Sequence, residues 1–200
     1  MPDQFVMVVR RALMMEEGAW REIKDSAAFT PFAIGWAVIV VILGGLGAYL
    51  WGELLVEGDT PDGWFSDTII LGSLFTLLLL MAWMGVIYFV LGQMFGVSMT
   101  PDALLRVFAV AISPLALGLL MFIPEFNFLL GVSSLALTFC LLVFALESAF
   151  GVSHANAAVA AFAGFAVFAL ILALLITADN AYANGFFVLE HIEDRFTHSY

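Results

Sequence analysis

Five apolar runs, each long enough to cross a bilayer, decide most of what this chain can become. A helical span needs about 20 apolar residues at 1.5 Å rise each. The runs 32–51, 68–91, 104–123, 128–146 and 155–177 meet that requirement. Hydrocarbon offers no hydrogen bonds, so every backbone N–H and C=O must be satisfied inside its own segment, which makes each run a helix. The composition agrees: 64% of residues are hydrophobic, 12% are charged, and the mean hydropathy is +1.08. A globular chain is nearer half apolar and a quarter charged. The surplus cannot be hidden inside 21.7 kDa, so lipid must cover it.

The expected fold is all-α and polytopic. Residues 1–31 form an N-terminal amphipathic cytoplasmic segment, 32–177 a five-helix transmembrane domain, and 178–200 an acidic amphipathic tail. Thr30-Pro31 and Thr100-Pro101 each pair an N-cap threonine with a proline at the first helical position. Thr60-Pro61-Asp62-Gly63 reads as a turn inside the first loop. The first thirty residues show no cleavable signal sequence.

The net charge of −11 belongs to loops and tails, and argues against nucleic acid as a partner. Arg10, Arg11, Arg21 and Lys24 all precede the first span, whereas the loop after it holds Glu53, Glu57, Asp59, Asp62 and Asp67 and no base. The positive-inside rule then puts the N-terminus in the cytoplasm and the C-terminus outside, in a prokaryotic cytoplasmic membrane. Within 5–29, Phe5, Val6, Val9, Leu13, Trp20 and Ile23 alternate with charges, including Glu17 and Arg21 at helical spacing. This segment reads either as one helix lying on the membrane surface or as a helix packed on the protein's own loops. The C-terminal tail repeats the pattern with Phe186 and Phe187 against Glu190, Glu193 and Asp194.

The third span carries a built-in break. Pro114 has no N–H for the carbonyl of Val110, so the helix bends there, and Ser113 is the nearest hydroxyl able to serve that carbonyl. The break is either a static kink or a hinge and niche.

The stretch "GQMFGVSMTPDALLRVFAVAISPLALGLLMFIP", a hairpin helix, and then "ESAFGVSHANAAVAAF" resemble the Yip-domain family of five-span membrane proteins. The match covers residues 92–175, and the first two spans agree in layout. Where many members carry Tyr-Gly before the serine, this chain has Ala109-Val110 and Ala111-Ile112. The resemblance implies a five-helix bundle with a cytoplasmic N-terminus. Eukaryotic members are linked to vesicle trafficking and prenylated Rab-type GTPases, but this chain shows no GTPase-binding signature.

Charges at membrane depth are functional candidates. Arg106 opens the third span and Glu147 closes the fourth, and a short turn at Pro124-Glu125-Phe126-Asn127 makes these spans an antiparallel hairpin. The two are therefore placed to pair at one end of the bundle; alternatively each reaches separately to the headgroups. Small residues at Gly44, Gly45, Gly47 and Ala48, and at Ala157, Ala160, Ala161 and Gly164, invite close helix contact. Cys140 reads as a packed small hydrophobe, and 20 Phe supply lipid-facing surface. His154, His191 and His198 have no metal-site spacing.

No catalytic triad, phosphate loop, metal quartet or cofactor motif is present, so the chain reads as a non-enzyme. The expectation is a Yip-like scaffold or accessory subunit in contact with lipid and with other membrane subunits. The competing reading is a small permease gated at Pro114.

Overall fold

The computed structural model describes residues 2–55, 65–123 and 125–176 of the chain. The tail with Phe186, Phe187, His191 and His198, the turn at Thr60 and Pro124 all lie outside the described residues. The described chain is all-α. Helices α1 (Pro2–Leu13) and α2 (Glu17–Asp25) precede five more: α3 (Thr30–Leu55), α4 (Gly72–Phe89), α5 (Pro101–Ala111), α6 (Asn127–Phe150) and α7 (His154–Ile176). Five segments are long and apolar enough to cross a membrane, and they fall on the five expected runs. This is a polytopic integral membrane protein.

The N-terminal segment departs from a single amphipathic helix. It folds as two helices around a corner at Met15, whose φ of 60° is left-handed and unfavourable for a side chain. Arg11 closes the corner, donating from Nε to Glu16 at 2.9 Å and from Nη1 to Glu22 at 3.0 Å. Both helices turn an apolar face to the protein: Phe5, Val8, Val9 and Ala12 from α1, Ala19, Trp20 and Ile23 from α2. Phe5 meets Phe29 edge-on at 5.4 Å and stacks on Phe32 at 5.8 Å, which pins α1 to the start of α3. Val6 and Leu13, both expected on the apolar face, instead point outward with Met7 and Met14.

The third span is α-helical only as far as the break. From Ser113 to Phe122 it continues as a 3-10 helix, a form that rarely exceeds a few residues. This segment packs against α3 and α6, while α4 packs against α7. The third span is also the most enclosed: 61% of its most apolar window is buried, against 33–44% for the other four. Wider π-helical turns, Ser66–Leu71 and Val90–Met94, extend α4 at both ends.

Lipid supplies no hydrophobic force between helices, so close packing must hold them together. Gly47 lies against the 3-10 segment so tightly that a Cβ there would stand 1.9 Å from the Gly118 carbonyl oxygen. At the other contact, a Cβ on Gly164 would stand 2.2 Å from Cδ1 of Trp83. Ala157, Ala160 and Ala161 are fully buried beside it. The small residues singled out in the sequence thus mark two very close helix contacts. Cys140 is corrected: it lies on the exposed side of α6, opposite the buried Thr138, Leu141 and Leu142.

Candidate functional site

The α1/α2 end of the bundle is held by guanidinium groups placed at helix C-termini. The last carbonyls of a helix have no partner within it and carry its negative dipole end. Arg106, 5% exposed on α5, fills that role for α2. Its Nε donates to the Ile23 carbonyl at 3.1 Å, its Nη2 to the Lys24 carbonyl, and its Nη1 to the Thr30 hydroxyl at 2.9 Å. Helix α2 in turn sends Arg21 Nε to the Ser148 carbonyl in the last turn of α6, at 3.2 Å. Two arginines therefore lock α2 between α5 and α6, with fully buried Trp20 and Ile23 between them. The Trp20 indole N–H is buried without a partner.

Arg106 and Glu147 do not pair. Arg106 is committed to neutral acceptors on α2 and at the start of α3, whereas Glu147 lies 3.0 Å from Nδ1 of His154 across the α6–α7 turn. That turn places the two side chains together: Gly151 caps α6 in the left-handed conformation at φ 66°, and the Ser153 hydroxyl accepts from the Asn156 N–H. Both partners are solvent-accessible, which makes the pair weak. Thr30 is likewise corrected. The chain enters α3 through a short 3-10 turn, Ala27–Phe29, so Thr30 is already helical and its hydroxyl serves Arg106. Thr100 caps α5 as expected, accepting from the Ala103 N–H at 3.3 Å.

At the break, Ser113 donates to the Val110 carbonyl, the acceptor that Pro114 leaves open. The Trp36 indole N–H donates to the same Ser113 oxygen at 2.8 Å. The chain Trp36–Ser113–Val110 therefore ties α3 to the bend and satisfies each polar group there. Trp36 and Trp83 escaped the sequence reading; Arg21 stands within 3.8 Å of Glu17 as its helical spacing suggested, but its bond to Ser148 was not foreseen. An indole N–H inside a span must find an acceptor; Trp83 finds the Ala161 carbonyl at 3.0 Å.

The Arg11 corner carries the resolved charge perturbation at this end. Its hydrogen bonds to Glu16 hold that carboxyl below the usual range and raise Arg11 further. Among the described residues no three His, Cys, Asp or Glu side chains gather as metal ligands do.

The fold and these contacts define a class: a polytopic α-helical membrane protein whose N-terminal helices are locked onto its bundle. Compared with models of protein families, with curated proteins and with solved structures, the chain finds no match.

Proposed function

We propose that the protein is a non-enzymatic, Yip-like membrane scaffold or accessory subunit acting through contacts of its helices and tails. The observation that carries this reading is the internal use of polar groups within the spans. Ser113 and Trp36 serve the break, Trp83 bonds Ala161, Thr76 bonds Gly72, and Ser134 and Thr138 bond the carbonyls of Gly131 and Ser134. Such a bundle keeps its shape and presents its surface. Val6 and Met7 on α1 and Met14 just after it, all more than half exposed, offer a partner adaptable apolar contacts beside the exposed Asp3 and Arg10.

In mild detergent the protein is expected to elute with a partner subunit in fixed stoichiometry, released by Met7→Glu with Met14→Glu. Recovery alone, with solute uptake into proteoliposomes that Ser113→Ala abolishes, would instead favour a permease gated at Pro114.

We further propose a prokaryotic cytoplasmic membrane with the α1/α2 end in the cytoplasm; the gathering of Arg10, Arg11, Arg21, Lys24 and Arg106 at that end supports the orientation. In a Cys140→Ala background, Asp3→Cys should be shielded from an impermeant thiol reagent in intact cells and Asp59→Cys labelled. The opposite pattern would invert the orientation.

A further inference from the structure

A cleft of about 270 Å³ opens sideways between α3, α4 and α5. Ala109 and Ile112 form its buried floor, Ala37 and Met84 its half-buried walls, and Ile34 and Met81 its mouth. Every side chain lining it is apolar, so water entering it would find no hydrogen-bond partner. Its cause is local: alanines at 37 and 109 leave room where larger residues would close the seam.

From this we infer that the cleft is a binding site for one acyl chain of a bilayer phospholipid, independently of the scaffold reading. Location and size select this occupant. All three walls lie inside membrane-spanning segments, and the mouth faces outward, with Ile34 47% and Met81 60% exposed. Along α5 and the residue that caps it the cleft runs from Leu105 to Ile112, about 10 Å at 1.5 Å per residue. That length fits within a single leaflet, whose hydrocarbon half is about 15 Å thick. A methylene fills about the same 30 Å³ as a liquid water molecule, so the cleft holds roughly nine of them. The chain ends against Ile112, the residue before the break, so the lipid abuts the bend in the third span.

The test uses the full protein in nanodiscs of phosphatidylcholine bearing a photoreactive diazirine in one acyl chain. Half-buried Ala37 and Met84 are expected to be labelled several-fold more than Leu137 and Phe162, which are more than half exposed on α6 and α7. Lipid that merely surrounds the protein gives the reverse ranking, and that result would overturn the site. Met81→Trp, at the exposed mouth, should remove the labelling of Ala37 and Met84 and leave that of Leu137. Ile34→Trp blocks the same mouth from α3 and replaces M81W should that variant fail to fold. Unchanged labelling in the blocked variant would equally refute the acyl-chain assignment.

Discussion

The middle of the bundle and its α1/α2 end are held by opposite means. In the middle, backbones touch at Gly47–Gly118 and an indole lies on Gly164, with a neutral hydrogen bond from Trp83 to the Ala161 carbonyl beside it. At the end, charged guanidinium groups reach across helices to bare carbonyls. Lipid explains the contrast. Where it excludes water, removing volume is the cheapest way to gain contact, and nearer the interface a charge is tolerable if a helix dipole receives it.

The largest effect should come from adding volume in the middle. Gly47→Ala forces the 3-10 segment away from α3 and is expected to cost about 3 kcal/mol or more in detergent melting. Gly164→Ala should follow closely, because Trp83 Cδ1 and its backbone oxygen both stand in the way. Gly35→Ala and Gly85→Ala meet nothing within 4 Å, so they should be neutral or gain up to about 1 kcal/mol of helix propensity. Equal losses at all four glycines would erase the distinction between close contact and open surface.

At the end of the bundle, Arg106→Gln strips the cap from α2 and should cost about 2–3 kcal/mol. Limited proteolysis should then cut within 14–26 much faster. Glu147→Gln removes a solvent-accessible pair with His154 and should cost under about 1 kcal/mol.

Ser113→Ala takes one donor from the Val110 carbonyl, which the Ile112 N–H also reaches, and the acceptor from the Trp36 N–H, for an expected loss of about 1–2 kcal/mol. A loss near zero would mean that the bend does not depend on this bond.

The smallest effect is acid-dependent. Glu16 is held below its ordinary carboxylate value by Arg11, so its contribution is complete above about pH 4.3 and fades as pH falls through the lower folded-state value. Arg11→Gln should abolish that slight acid sensitivity in a pH-dependent melt.

The spans, the break at Pro114 and the glycine contacts were legible because each depends on residue type: hydropathy, a missing N–H, a missing Cβ. The hydroxyl that serves Val110 was also legible, since Ser113 is adjacent in sequence. The partner of Arg106 was not. Its acceptors are backbone carbonyls 83 and 82 residues away, and every residue carries a carbonyl. Reasoning from charge alone matched it to the acid at the same end of the hairpin. The 3-10 form after Pro114 was hidden as well, because "LALGLLMF" has no local signal against an α-helix. Its packing on Gly44 and Gly47 accompanies the tighter winding.

Two double-mutant cycles run side by side test most directly whether Arg106 is held at the α2–α3 junction, where its Nη1 meets Thr30, or pairs with Glu147. Residues that share an interaction deviate from additivity by about 0.5–3 kcal/mol, and independent ones add within about 0.5. Arg106→Gln combined with Thr30→Val should cost less than the sum of the single changes, and combined with Glu147→Gln should cost their simple sum. Coupling to Glu147 with additivity at Thr30 would contradict the lock.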